Sequence, residues 1–317
     1  MCPCEESDEP LAPTPSLHYP QGVWGLMSFM QMAAPPLGRT IAFNGGIGGG
    51  KPSAPLPIII VDGSAIAYFL FQRCQACRWW DGGDLRAFDM AVIDFVRNMR
   101  AAGLEMRFVF DGMTHPLKHD TVLGRLRDNA KRMDSYLAQM RIKKGEQLGH
   151  SGFVLPFGVV DCLAEALLRE GVPCRRALYE ADGELAREYY EWSRKGAVGV
   201  LSNDSDFICM RVPLLPLNEI RLESTTFTAV IYEPATVAKS LGIGEHMLPM
   251  LACMAGNDYI SRESLACFHQ KLVPSSGANS SWKVCAAYMA RARILCTCLY
   301  MHTSACAVTH MHGYETG

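Results

Sequence analysis

The chain has no surplus of charge of either sign: 30 Lys and Arg face 32 Asp and Glu across 317 residues, a formal net charge of -2. Without a positive surplus there is no general pull toward nucleic acid or anionic membranes, so a polyanion partner must be held by a local basic patch. No apolar run approaches the ~18 to 20 residues needed to cross a bilayer, which argues against a membrane protein. No apolar signal segment stands at the start, and no second Cys-x-x-Cys accompanies Cys74 and Cys77. The 13 cysteines therefore fit a reducing intracellular compartment better than a disulfide framework or a zinc site. What is present is 49% hydrophobic content, enough for one large core or two modest ones.

Residues 1 to 21 are rich in Pro and acidic side chains and read as a disordered leader. A Pro- and Gly-rich stretch from Gln31 to Pro57 reads as a loop or insertion. It imitates a phosphate-binding P-loop from Gly45 to Lys51, but Pro52 stands where Ser or Thr is required, and Pro55 and Pro57 forbid the following helix. No nucleoside triphosphate site is expected. From Leu56 near-continuous apolar strands alternate with helices, which implies an α/β domain with a mostly parallel sheet covered on both faces. The core is expected to span residues 22 to 261. Residues 262 to 317 change character, with five Cys, four His and three Met, and read as a poorly ordered tail.

Each predicted strand stops at an acid: Asp62 after PIIIV, Asp111 after MRFVF, Glu180 and Asp182 after VPCRRALY, Asp204 and Asp206 after AVGVL. Asp258 follows in AGNDY. On extended backbone alternate residues share a side, so Asp204 and Asp206 are expected to point together, as are Glu180 and Asp182. Any one of these acids is ordinarily an Asx-turn or a helix cap. Seven at one sheet edge would repel one another, and a cation is the natural compensation. With no His or Cys among them, Mg²⁺ or Mn²⁺ is the expected metal. Two such ions about 4 Å apart are the usual device for phosphodiester hydrolysis. A phosphatase with an aspartyl nucleophile would need an Asp where Ser64 stands.

Between Lys118 and Lys144 lie eight Lys or Arg against three Asp, the local positive surface that the net charge conceals. Lys118, Arg125 and Arg132 are spaced by seven, which on a helix keeps them near one face. The order GVWGL, VDGSA, VFDG with LK, YEAD, SNDSDF and GNDY resembles the flap-endonuclease and xeroderma-pigmentosum-G superfamily, and within it the asteroid proteins. That resemblance covers roughly Gly22 to Tyr259. It implies a PIN-like twisted sheet with helices on both faces, and two Mg²⁺ or Mn²⁺ ions on Asp62, Asp111, Glu180, Asp182, Asp204, Asp206 and Asp258. It further implies catalytic Lys118 and Arg125, and nucleic-acid contacts from Gly22, Lys118, Arg125, Arg127, Lys131 and Arg132. The implied activity is structure-specific cleavage of single-stranded or overhang DNA, with RNA a second candidate, in a nuclear DNA-repair setting. Two departures favour a noncatalytic nucleic-acid-binding or signalling scaffold instead: Gly22 follows Gln21 where family members begin Met-Gly, and no helix-hairpin follows Asp258.

Overall fold

The structure, a computed structural model, describes residues 23, 25–45, 55–114, 116–142, 153–256, 264–272 and 285. After helix α1 (Leu26–Met32) come strand β1 (Gly38–Asn44), strand β2 (Ile58–Asp62) and helix α2 (Gly63–Arg73). Helix α3 (Leu85–Ala101), strand β3 (Glu105–Phe110) and the long helix α4 (His119–Ile142) follow. Then come α5 (Val159–Arg169), β4 (Cys174–Arg176), α6 (Ala181–Ser193), β5 (Ala197–Leu201) and α7 (Asp206–Cys209). Strands β6 (Leu214–Leu215), β7 (Ile220–Glu223) and β8 (Thr226–Tyr232) precede helices α8 (Pro234–Ser240), α9 (Leu248–Ala255) and α10 (Ala266–Leu272).

One sheet holds all the strands among the described residues, in the order β1-β8-β6-β5-β2-β3-β4 with β7 also on β8. The five strands from β6 to β4 pair in parallel, and β8 joins them antiparallel. The expected α/β architecture with a mostly parallel sheet is what forms. β2 shows why its sequence is unbrokenly apolar. Ile59 and Val61 face a core with Ile66, Phe71, Phe88, Val92 and Leu163 from α2, α3 and α5. Ile58 and Ile60 face a second core with Leu26, Met30, Leu185, Phe207 and Leu251 from the helices on the opposite side. Alternation continues, but both faces are dry. α3 buries Phe88, Val92, Phe95, Val96 and Met99 on one stripe, and Asp84 Oδ1 caps it by accepting the Arg86 and Ala87 N–H. Each fully buried apolar side chain of this size contributes roughly 1.5 to 3 kcal/mol before entropy is charged against it.

Two sequence expectations change. The stretch read as a loop contains β1, which pairs antiparallel with β8 through all seven of its residues. Its signal is the weak alternation of an edge strand, with Ile41 and Phe43 half-buried among exposed neighbours and Phe43 lying 6.3 Å from the Phe227 ring. The strand expected to run to Glu180 ends at Arg176; beyond it, backbone pairing passes to the segment after β3. There Phe110 O accepts the Ala177 N–H (2.9 Å), Leu178 O the Met113 N–H (2.9 Å) and Tyr179 O the Gly112 N–H (2.6 Å). Of the tail, α10 packs at α9, where the His269 ring lies 2.7 Å from Met254 O and the Cys285 thiol donates to that same carbonyl; residues 273 to 284 and 286 to 317 lie outside the described residues. Residues 1 to 21 and the Gly46 to Lys51 part of the P-loop imitation lie outside the described residues.

Gly112 sets how closely the two loops approach, because a Cβ there would overlap the Ala177 and Leu178 carbonyls. Backbone cannot yield as a side-chain tip can. Gly112→Ala is therefore expected to cost about 2 kcal/mol or more, read as a lower melting temperature; an unchanged melt would mean that these loops are not held together as described.

Candidate functional site at the carboxyl edge of the sheet

β2, β3 and β5 run in parallel, so the chain leaves all three at one edge, where open α/β sheets hold their ligands. Asp62 is the last residue of β2 and the N-cap of α2. Its Oδ1 accepts the Ala65 N–H at 3.0 Å and its Oδ2 the Ser202 hydroxyl at 2.8 Å. Asp111 follows β3 and ties two helices together: Oδ1 accepts the Ala181 N–H of α6 at 2.9 Å, and Oδ2 the Ser64 hydroxyl of α2 at 2.6 Å. Glu180 is the N-cap residue of α6, and Asp182 lies in that helix's first turn. Helical geometry, not extended backbone, sets their relation, because the chain has already left the sheet.

The SNDSDF segment departs from expectation in the same way. β5 ends at Leu201, and the acids sit in a turn beyond it. Ser202 Oγ accepts the Asp204 N–H at 3.2 Å, Asp204 Oδ1 accepts the Asp206 N–H at 2.9 Å, and Asp206 opens α7. Asp206 Oδ1 accepts the Val23 N–H at 2.7 Å, which draws the segment before α1 to this edge. Two residues apart in a turn, the carboxylates are placed by local hydrogen bonds instead of by strand alternation.

These acids feel one another. Burial, then Asp62, Asp111 and Glu180, push Asp182 up from its ordinary 3.8 to about 7, with Lys118 opposing. Burial foremost pushes Asp62 up to about 6, and the Asp111 charge adds to it. Burial, then Asp206, Asp182 and Asp62, raise Asp204 well above the usual carboxylate range. Six of the seven acids singled out in the sequence thus form one electrostatic cluster. Asp258 and Gly22 lie outside the described residues.

No family model matches the chain, but sequence relatives do. Protein asteroid of Drosophila melanogaster is 27% identical over 168 residues, 53% of this chain and 18% of that protein. The chain is similar in sequence to an asteroid protein. A second relative, single-strand DNA endonuclease ASTE1 of Danio rerio, is 29% identical over 235 residues, 70% of this chain and 32% of that protein. A third, the constitutive coactivator of peroxisome proliferator-activated receptor gamma of Homo sapiens, is 28% identical over 257 residues, 80% of this chain and 27% of that protein. The chain spans about a third or less of the length of each.

The acids are all carboxylate and mutually repelling, the ligand chemistry that hard divalent cations take. Among the described residues no group of three or more His, Cys, Asp or Glu side chains is arranged to hold a metal ion; within the charge cluster Asp62, Asp111, Asp204 and Asp206 are each held by hydrogen-bond donors. Lys118 is not on α4 but in the turn Pro116–Lys118 before it. It is buried, with Nζ 2.7 Å from Glu180 Oε2. Arg125, Arg127 and Lys131 are exposed on α4, and Arg132 is half-buried, donating to Asp128 O and Asn129 Oδ1. The spacing of seven therefore does not place Lys118, Arg125 and Arg132 on one helix.

The sequence reading missed the two hydroxyls. Ser64 and Ser202 lie in the quoted motifs, yet their partners, Asp111 and Asp62, are 47 and 140 residues away. Ser202 is buried and serves as donor to Asp62 and acceptor for Asp204. Ser202→Ala would strip a donor from a half-buried carboxylate, at an expected cost of about 1 to 3 kcal/mol. Urea unfolding measures this; a cost near zero would show that Asp62 does not depend on that hydroxyl.

Proposed function

We propose that this chain is a divalent-metal-dependent nuclease that hydrolyses phosphodiester bonds in single-stranded or overhang DNA, with RNA as a second substrate candidate. The observation that carries the reading is the convergence of Asp62, Asp111, Asp182 and Asp204 at the carboxyl edge of the parallel strands. So dense a set of acids, half-buried at Asp62, Asp182 and Asp204, is costly to maintain and suits a site that takes up cations. The name of the ASTE1 relative supports the substrate class.

Asp62, Asp111, Glu180, Asp182, Asp204 and Asp206, with Asp258, would hold two Mg²⁺ or Mn²⁺ ions. Such ions, when bound, supply an activated water and charge neutralisation at the leaving oxygen. Ser202 and Ser64 orient Asp62 and Asp111. Lys118, at the border of the cluster, and Arg125, on α4, neutralise charge on the scissile phosphate. Arg127, Lys131, Arg132 and Gly22 contact the strand, and a terminal base pair unstacks so that its phosphate reaches the acids. The nuclease core spans residues 22 to 261, and the substrate places the protein in the nucleus. Among the described residues no helix is long and apolar enough to cross a membrane.

A noncatalytic scaffold is the second reading, favoured by the coactivator relative. Incubation with labelled single-stranded, overhang and flap DNA, in Mg²⁺ or in chelator, separates the two. The nuclease reading expects Mg²⁺-dependent cuts in unpaired segments; binding without cutting in either condition would support the scaffold.

A further inference from the structure

Two thiols that take no part in the acidic site lie together in one turn. Helix α2 ends at Arg73, and Cys74 follows it, donating its N–H to Leu70 O. The chain then reverses, and the Cys77 N–H returns to Cys74 O at 2.9 Å. A turn closed in this way holds its first and fourth Cα within about 7 Å, and a disulfide needs Cα atoms roughly 4.4 to 6.8 Å apart. Both thiols are free. Cys77 is buried and donates to Asp84 O at 3.4 Å. Cys74 is half-buried and acts on the Cys77 thiol as a hydrogen-bond partner and through its charge. An open cavity of about 560 Å³, lined by Ala76, Arg78, Gly83, Asp84 and Leu85, borders the turn and leaves room for a small molecule there.

We propose that Cys74 and Cys77 are a reversible redox pair, closed into a disulfide by a low-molecular-weight disulfide such as oxidised glutathione. Cys74, the more exposed, attacks one sulfur of that disulfide; its S–S bond breaks, a mixed disulfide forms on Cys74, and the first small thiol leaves. Cys77 then attacks Cys74 Sγ and expels the second. The two cysteines are oxidised by two electrons, the small disulfide is reduced to two thiols, and the two cysteine protons end on those thiols. Burial foremost, then Cys74, pushes the Cys77 thiol up to about 12, which suits it to resolve an intermediate already beside it and not to start the reaction. Thiols tuned for fast exchange sit at helix N-termini, whereas this pair stands at the C-terminal end of α2, where the helix dipole disfavours a thiolate. Slow, reversible oxidation in a reducing compartment is the behaviour of a redox sensor. Cys77 lies two residues before Trp79, whose ring meets Tyr136 of α4 at 4.6 Å, so the pair is built into the wall on which the basic helix rests.

The inference does not depend on the nuclease reading, and neither cation nor nucleic acid enters its test. The fully reduced wild-type chain is incubated with oxidised glutathione and quenched in acid, its free thiols are alkylated in denaturant, and trypsin digestion is followed by mass spectrometry. Cleavage after Arg73 and Arg78 releases Cys74 and Cys77 in one peptide with no other cysteine. That peptide is expected to appear unalkylated and two hydrogens lighter, and to regain both thiols when reduced glutathione is returned in excess. In Cys77→Ser the mixed disulfide has no resolving partner, and glutathione on Cys74 is expected to rise about tenfold or more over the wild type, the advantage of an intramolecular thiol. The wild-type result stands even if that variant fails to fold. A wild-type peptide with both thiols still free, one carrying glutathione on Cys74 with no internal bond, or a bond that excess reduced glutathione does not reopen would overturn the inference.

Discussion

Replacing Asp182 and Asp204 together with Asn is expected to abolish phosphodiester cleavage, by about a thousandfold or more, while making the chelator-treated protein more stable. Asn retains an oxygen to accept the Asp206 N–H that Asp204 holds at 2.9 Å, so the turn after β5 should survive. What disappears is charge that the fold bears at a cost. Asp182 is pushed from 3.8 to about 7, and at about 1.4 kcal/mol per unit its ionised form destabilises the folded chain by roughly 2 to 4 kcal/mol once screening is allowed for. The sign follows from proton binding. The folded state holds this proton more tightly than the unfolded state, so stability is lost as pH rises from about 4 through about 7. In chelator the Asn variant should therefore melt above the wild type at pH 8, and the two should converge near pH 4. A variant that melts lower at pH 8, or that still cuts, would show that these carboxylates are structural.

Tyr136→Ala is expected to detach the basic helix. Tyr136 is buried, with its ring 4.6 Å from that of Trp79 and 5.7 Å from that of Trp80, and Trp79 in turn lies 6.2 Å from Phe153. This contact anchors the C-terminal half of α4, while Arg125 and Arg127 stand exposed nearer its start. Removing a buried aromatic of this size costs about 3 kcal/mol or more. The loss should fall first on α4, whose other core contacts include only the half-buried Met133 and Met140 and whose outer face is polar. Limited proteolysis is expected to gain cuts between residues 119 and 142. Single-strand affinity should fall more than tenfold, with a shallower salt dependence as ordered phosphate contacts are lost. Tyr136→Phe keeps the ring packing and should leave α4 in place. Equal behaviour of the Ala and Phe variants would contradict the anchoring role.

The central strands were legible because burial on both faces leaves a plain apolar run, as in Ile58–Asp62 and Glu105–Phe110. The acids after them were legible because a charge closing such a run is conspicuous. β1 was not, since an edge strand half-covered on one side resembles any mixed loop, and the Pro and Gly around it suggested one. The relation of Glu180 to Asp182 was misjudged because a strand of only three residues, Cys174–Arg176, hands its backbone pairing to a loop. Nothing local in VPCRRALYE marks that exit. For Asp204 and Asp206 the bland reading, an Asx-type turn, is the correct geometry, and it still delivers both carboxylates to the cluster. The hydroxyls of Ser64 and Ser202 and the burial of Lys118 against Glu180 depend on segments brought together only by the fold, so the one-dimensional pattern could not carry them.

The central claim is that the carboxylates at the sheet edge form a cation site that cuts nucleic acid, and the most direct measurement is cleavage of a labelled overhang substrate by the purified chain. Wild type and Asp182→Asn/Asp204→Asn would be compared in Mg²⁺ and in chelator, with circular dichroism confirming that both are folded. The account expects cutting by the wild type in Mg²⁺ alone and none by the variant in either condition. Equal cutting by both proteins, cutting that persists in chelator, or no cutting by a folded wild type that binds the substrate would contradict it.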